Sequence, residues 1–189
     1  MIRSVFIAFV TIIVSLSASA QVQTWKIDPN HTASQFSIKH LGISTVRGVF
    51  GKTTGTVQYD PKDPGKTVIE ATIDASTVNT HVEVRDNDLR GPNFFDVAKY
   101  PNITFKSTKV EPNGEGKLKV TGDLAIHGTT KEVVLDVEGP TPPVQDKGAT
   151  KMGVTATTKI NRFDFGVNGA RNTAGGDVNI TIDLELIAQ

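Results

Sequence analysis

Hydrophobic and polar residues alternate along most of the chain with a period of two, the spacing that places apolar side chains on one face of a β-strand. The clearest runs span residues 117–126, 151–160 and 177–188. Shorter segments of the same character lie around residues 36–38, 46–50, 57–59, 69–73, 103–105 and 133–137. One apolar and one polar face per segment is typical of antiparallel strands with one side toward water.

Turn-forming residues separate these segments. Two prolines and a glycine occur in residues 60–65, and Asn113-Gly114 is a strong hairpin signal. The proline-rich residues 139–143 predict an exposed loop. Because no linker or internal repeat divides the sequence, we expect residues 21–189 to form one domain.

One segment departs from the strand pattern. Thr80 and Glu83 have the spacing of a capping box, and Gly91-Pro92 would end a helix, so a short helix is predicted near residues 80–90. Eight or nine strands with one helix favour an all-β fold, an antiparallel barrel that is closed or nearly so. The interior of such a barrel holds either packed side chains or one small ligand.

The first twenty residues have the character of a signal peptide rather than of the fold. Arg3 precedes an apolar run over residues 5–14, and Ala18-Ser19-Ala20 provides small residues for cleavage. We therefore predict a signal peptide at residues 1–20 and an exported soluble protein of 189 − 20 = 169 residues. The apolar run is too short for a stable membrane span.

The composition excludes several kinds of partner and reactive group. The chain has 20 basic and 20 acidic residues, so nothing in its charge favours nucleic acid as a partner. It has no cysteine, which excludes disulfides and thiolate chemistry, and its four histidines are scattered. We expect neither a metal ion nor a cofactor.

Three carboxylates near the predicted helix raise the alternative of an enzyme. Asp86, Asp88 and Asp96 lie close together in sequence and would suit acid–base chemistry. Arg85 and Arg90 alternate with them, however, and this pattern favours a half-exposed face with salt bridges. No catalytic residue is predicted.

Several sequence blocks together resemble the YceI-like family of exported, lipocalin-like bacterial proteins. They are residues 25–32 (WKIDPNHT), 36–42 (FSIKHLG), 46–50 (VRGVF), 85–90 (RDNDLR), 94–97 (FFDV), 122–131 (GDLAIHGTTK), 161–162 (NR) and 164–166 (DFG). The resemblance covers the chain from residue 25 almost to its end. The family commonly has histidine where Asp88 stands and serine where Gly91 stands, so a role for a histidine at this place is not expected.

The resemblance implies an extended, eight-stranded antiparallel barrel, partly closed by a helix, with an internal channel for a long apolar chain. The ligand would be a polyisoprenoid, a quinone tail or an acyl chain, held in the periplasm for transport, storage or stress response. The alternation and the motifs together suggest the residues that contact it: Phe36, Ile38, Phe50, Phe105, Leu124, Val154, Phe163 and Phe165 in the wall, with Phe94 and Phe95 beside the lid.

Two alternatives to this binding protein remain open at this stage. They are a lipid-modifying enzyme that uses the carboxylates near the helix, and a filled barrel that acts as a protein-interaction module. In the binding protein, Arg85, Asp86 and Arg90 would tie the helix to the barrel. Val134 and Ile187, apolar residues on otherwise polar faces, suggest a homodimer through the barrel wall.

Overall fold

A computed structural model of the protein describes residues 22–189, so the predicted signal peptide at residues 1–20 lies outside the described residues. Within them the chain forms twelve β-strands and one α-helix. The strands are β1 (Gln23–Ile27), β2 (Ala33–His40), β3 (Ser44–Phe50), β4 (Thr53–Tyr59), β5 (Val68–Asp74), β6 (Val78–Asn79), β7 (Asn102–Pro112), β8 (Lys117–Ile126), β9 (Thr129–Glu138), β10 (Val144–Asp146), β11 (Ala149–Asn161) and β12 (Ala174–Ala188). The helix, α1, spans Glu83–Arg90.

The strands close into an antiparallel barrel, because β11 pairs with β9 on one side and with β12 on the other. Around the ring the order is β11, β9, β8, β7, β5, β4, β1 and β12. The sequence-based prediction of an all-β, eight-stranded barrel with one short helix is confirmed.

Three additional strands lengthen the barrel at one end. β2 follows β1 and pairs with the same neighbour, β12. β3 pairs with β2 and leads into β4, and β6 follows β5 and pairs with β3. Each two consecutive strands, β1 with β2, β3 with β4, and β5 with β6, therefore act as one long strand with a break in its middle.

The long strands show how the alternation in the sequence becomes a barrel wall. β11 and β12 pair without a break from Lys151 opposite Ile187 to Asn161 opposite Asp177. Since successive side chains point to opposite faces, the aliphatic residues at even positions of both strands lie inside the barrel. The polar residues between them face outward.

Helix α1 begins later than the sequence predicts, and the predicted capping box is wrong. Val82 occupies the N-cap position and makes no side-chain capping bond. The Thr80 hydroxyl donates instead to Oδ1 of Asp86 at 2.5 Å, and the same oxygen accepts the Thr80 backbone N–H at 2.8 Å. Because the Thr80 hydroxyl is bound to Asp86, the Thr80 side chain does not cap the helix.

Among the residues that the structure describes, no helix combines the length and the apolar character that crossing a membrane requires.

Candidate functional site

A cavity of about 590 Å³ extends through the inside of the barrel. Sites for small molecules usually measure about 300–1,000 Å³, so this cavity has the size of a ligand site. The interior is therefore not solidly packed, and the filled-barrel alternative does not describe this structure.

The cavity walls are built from the alternate residues that the strands turn inward. In β12 these are Val178, Ile180, Ile182 and Leu184. The six residue-to-residue steps from the first to the last of them span about 20 Å at the rise of a β-strand. β11 contributes Val154, Ala156, Thr158 and Ile160 in the same way. The result is an elongated and mainly aliphatic wall along the strand direction.

Two glycines give the aromatic rings of the wall their positions. A Cβ atom at Gly48, the cross-strand partner of Phe36, would lie 2.4 Å from Cζ of the Phe36 ring. A Cβ atom at Gly122 would lie 2.5 Å from Cζ of Phe105 and 2.5 Å from the Lys106 carbonyl oxygen. Each ring therefore lies against the backbone of a glycine, where any other residue would displace it.

Nine of the ten residues proposed from the sequence as ligand contacts line this cavity. They are Phe36, Ile38, Phe50, Phe94, Phe95, Phe105, Leu124, Val154 and Phe165. The tenth, Phe163, does not belong to the lining. It lies between two guanidinium groups, with its ring centroid 4.4 Å from Cζ of Arg162 and 4.2 Å from Cζ of Arg171.

The different position of Phe163 follows from the local backbone. The strand β11 ends at Asn161, and the next four residues, Arg162–Phe165, form a 3-10 turn. The Asn161 side chain accepts the backbone N–H of Phe163 at 3.0 Å and so caps this turn. Three residues per turn replace the two-residue period of a strand, so Phe163 and Phe165 do not share a face.

Aromatic side chains gather near the helix end of the cavity. The ring centroids of Phe36 and Phe50 are 5.8 Å apart, and those of Phe50 and Phe95 are 5.4 Å apart in an edge-on arrangement. These separations are favourable for aromatic pairs. Leu89 of α1 packs against the same cluster, so the helix covers this end of the barrel with apolar contacts.

The cavity reaches solvent at this end. Ser44, Asp88, Ala170 and Thr173 line it and are themselves exposed. They belong to the start of β3, to α1 and to residues 166–173. We call the opening between these three elements the mouth.

The opposite end is closed. Trp25, Ile27, Val57, Met152 and Leu186 pack together there, and all of them are buried. Tyr59 lines the cavity beside this cluster, and burial raises the pKa of its phenol above the usual value. The tunnel therefore has an inner end packed with buried side chains and a mouth that meets solvent.

Hydrogen bonds from two arginines fasten the helix to the preceding segment of the chain. The guanidinium of Arg85 donates to Oγ1 of Thr80 at 2.7 Å and to the Thr80 carbonyl at 3.0 Å. Arg90 donates to the carbonyls of Ser76 and Val78, both at 2.8 Å. With Asp86 bound to Thr80 as described above, the three side chains tie the helix to the segment before it, and the bond from Arg90 to Val78 is the one that reaches a strand, β6.

A buried arginine holds the other side of the mouth. Arg162 donates four hydrogen bonds of 2.7–3.0 Å to the backbone carbonyls of Val167, Gly169, Ala174 and Gly175. Burial lowers the pKa of this guanidinium, and the nearby charge of Arg171 acts in the same direction. An arginine remains protonated in proteins, so the bonds are charge-assisted and fix the loop at residues 166–173 to the start of β12.

A second polar cluster, formed by Asp28, His31 and Glu185, lies at the connection between β1 and β2. Nδ1 of His31 is 2.8 Å from Oδ2 of Asp28 and 3.8 Å from Oε1 of Glu185, a spacing at which three side chains can share a cation. The ammonium of Lys151 already lies 2.8 Å from that Glu185 oxygen. The cluster is thus an ion-pair network, in which the hydrogen bond from His31 lowers the pKa of Asp28 and the acids Glu185 and Asp146 raise the pKa of Lys151.

The structure separates the three carboxylates that the sequence suggested for acid–base chemistry. Asp86 is buried and bound to Thr80. Asp88 lines the mouth of the cavity, whereas Asp96 lies outside the lining, in the turn after the helix. Only one of the three therefore meets the space that a ligand would occupy.

Sequence reasoning missed several lining residues. The inward aliphatic residues of β12 are visible in the alternation, but the residues proposed from the sequence are mostly aromatic and include none of them. The side chains at the mouth, among them His40 and Arg85, carry no such signal. Their place depends on how the helix and the β2–β3 hairpin meet, which a linear pattern does not contain.

Comparison with known proteins gives a consistent family assignment. A family model described as YceI-like domain matches residues 25–186. Protein YceI of Escherichia coli O157:H7 is 34% identical over 175 residues, which is 92% of this chain and 91% of that protein.

Two solved structures show the same fold. BcnA from Burkholderia cenocepacia superposes with a TM-score of 0.75 at 24% identity, over 84% of this chain and 98% of that one. A polyisoprenoid binding domain from Saccharophagus degradans superposes with a TM-score of 0.67 at 17% identity, over 89% of this chain and all (100%) of that domain.

Proposed function

The chain belongs to the YceI-like family, and from this premise we propose that it is an exported, periplasmic binding protein that holds one long apolar lipid inside its barrel. The observation that carries the proposal is the cavity itself, about 590 Å³ in volume and lined along its length by aliphatic and phenyl side chains. The ligand class is a polyisoprenoid, a quinone with its isoprenoid tail, or an acyl chain.

The physical reason for such a protein is the poor solubility of long hydrocarbon chains in water. Each CH₂ group moved from water into an apolar site contributes about 0.8 kcal/mol. A tail held against Ile180, Ile182 and Leu184 would gain this stabilisation along the whole tunnel, while a polar head would stay at the wet mouth. The likeness in fold supports this assignment, since a domain of the same fold from Saccharophagus degradans is described as polyisoprenoid binding.

The proposed ligand contacts are the nine cavity-lining residues named from the sequence, together with the inward residues of β12. Phe163 is left out of this set because it does not line the cavity. We assign the protein no catalytic step: Asp88 is the one carboxylate of the three near the helix that meets the cavity, and it lies at the exposed mouth.

Export and assembly complete the proposal. Residues 1–20 would direct the chain to the periplasm and be removed, and the lipid would there be transported, stored or held during stress. A homodimer through the barrel wall stays a prediction. Val134 is 44% exposed and available for such a contact, whereas Ile187 is half-buried and contributes less than its place in the sequence suggests.

The test is organic extraction of the protein, purified from cells that export it, followed by mass spectrometry. We expect a long-chain isoprenoid, quinone or acyl lipid in about one copy per chain. Recovery of no lipid, together with no binding of added quinone or polyprenol, would contradict the proposal.

A further inference from the structure

The turn between β2 and β3 exposes two large aliphatic side chains beside the mouth. Ile43 is 84% exposed, the highest value among the large hydrophobic residues that the structure describes, and Leu41 is 56% exposed. Their neighbours His40 and Ser44 line the cavity. The exposed apolar tip and the rim of the mouth are therefore parts of the same hairpin.

Local folding preferences do not account for the leucine in this turn. Leu41 has a φ of +51° and Gly42 a φ of +72°. Three residues connect β2 to β3, and a hydrogen bond from the Ile43 N–H to the His40 carbonyl closes a turn around Leu41 and Gly42. A turn with both central residues at positive φ favours asparagine or glycine at the first of them. A leucine there is strained and also exposed, so neither turn geometry nor burial explains it. Such an outlier suggests a role outside the folded chain.

The stretch of chain that contains the tip carries positive charges only. Residues 29–59 contain no aspartate or glutamate, but they contain Lys39, Arg47 and Lys52. Lys39 and Arg47 are exposed on the two strands of the hairpin. Within residues 22–189 neither of them forms an ion pair with a carboxylate. Both positive charges are thus available to a partner.

We propose that this hairpin docks the protein on the surface of an anionic phospholipid bilayer. Leu41 and Ile43 would enter the apolar boundary of the membrane, while Lys39 and Arg47 would meet the phosphate groups above it. This arrangement fits a lipid surface better than a protein groove. The apolar side chains are at the tip and the cations lie behind them on the strands, in the same order as the acyl chains and phosphate groups of a bilayer.

Docking in this orientation brings the hairpin side of the mouth to the membrane. A lipid tail would then pass from the bilayer into the tunnel without crossing water. The contact is assigned to the hairpin rather than to the nearby helix, because α1 carries the exposed acids Glu83 and Asp88, which an anionic surface repels. The purpose of the docking rests on the proposed function, although the docking itself is a separate property.

Flotation with vesicles tests the contact. The purified protein is mixed with vesicles of equal parts phosphatidylglycerol and phosphatidylcholine, or of phosphatidylcholine alone. We expect partition onto the anionic vesicles. The double variant Leu41→Asn with Ile43→Thr should reduce this partition at least tenfold, and it leaves the turn in residues that its backbone favours, so misfolding would not explain the loss.

Charge and position provide the controls. Lys39→Gln with Arg47→Gln should weaken partition about 25-fold, at about fivefold for each cation removed near an anionic surface. Val144→Thr serves as the matched control, since Val144 is 59% exposed but lies in β10, at the closed end of the barrel. Its partition should equal that of the unmodified protein.

The outcomes separate this inference from the proposed function. Equal flotation of the unmodified protein and the Leu41→Asn, Ile43→Thr variant, or no flotation of either, would overturn the docking contact. A second assay presents a quinone in detergent micelles, where no bilayer is needed. Docking predicts that this variant binds the quinone there as the unmodified protein does, whereas failure of both proteins to bind it counts against the proposed function alone.

Discussion

Gly48 determines where one of the phenyl rings of the cavity lies. The Phe36 ring occupies the space that a side chain at residue 48 would need, and Thr80 approaches the same space from the segment before α1. The position thus joins the β2–β3 hairpin, the cavity wall and the helix anchor. A single methyl group added at residue 48 should therefore disturb the packing of all three.

We predict that Gly48→Ala lowers the free energy of unfolding by about 1–3 kcal/mol, the usual cost of overpacking. The new Cβ would lie 2.4 Å from the Phe36 ring and 2.8 Å from Cγ2 of Thr80, so the ring must move toward the cavity. Urea unfolding measures the loss, and lipid affinity should fall with it.

Gly51→Ala is the matched control for this change. Its Cβ would find no neighbour nearer than 3.9 Å, so its stability should stay within about 0.5 kcal/mol of the unmodified protein. Equal unfolding midpoints for the two variants would show that the space around residue 48 is not limiting.

At the same scale, Phe163 and Phe165 show what a sequence pattern can and cannot locate. The two phenylalanines are spaced two residues apart, and the sequence predicts both in the wall. Only Phe165 lines the cavity, because the chain leaves the strand at Asn161 and the spacing between the two side chains changes. Apolar character is visible in the sequence, but the end of a strand is set by caps and by neighbours such as Arg162 and Arg171.

Helix α1 is held by few and specific contacts. Its eight residues are too few for a stable isolated helix, so its stability comes from tertiary contacts. Leu89 packs toward the cavity, and Asp86 binds the Thr80 segment. The sequence predicted the presence of this helix correctly. The sequence placed the start of the helix wrongly. The capping box assigns the Thr80 hydroxyl to the helix N-terminus, but in the structure this hydroxyl is bound to the buried carboxylate of Asp86.

We predict that Asp86→Ala loosens this element. The Thr80 N–H would lose its buried acceptor, at a cost of about 1–3 kcal/mol. Native-state hydrogen exchange, followed by mass spectrometry, should become faster in residues 76–90 and stay unchanged in β11 and β12.

Glu83→Ala is the control on the same helix. Glu83 is exposed in the first turn, where its charge contributes less than about 1 kcal/mol through the helix dipole. If the two variants exchange at the same rate in this segment, Asp86 does not anchor the helix.

At the scale of the whole molecule, the barrel and its cavity differ in how far the sequence determines them. The period-two runs and the turn residues indicate the number of strands and their faces. Whether the interior is full or hollow depends on the number of strands in the ring and on their stagger, since these set the width of the barrel. Inward residues such as Val178 and Ile182 would look the same in sequence in either case.

The central claim is that the lipid lies inside the barrel, and native mass spectrometry with two variants of one strand tests it most directly. Ile182 lines the cavity in the middle of β12, and Thr181, its neighbour, faces outward. Ile182→Trp should place an indole in the space of the lipid and lower the lipid-bound fraction at least tenfold, whereas Thr181→Trp should carry one lipid per chain like the unmodified protein. Full lipid occupancy in the Ile182→Trp protein would contradict the account.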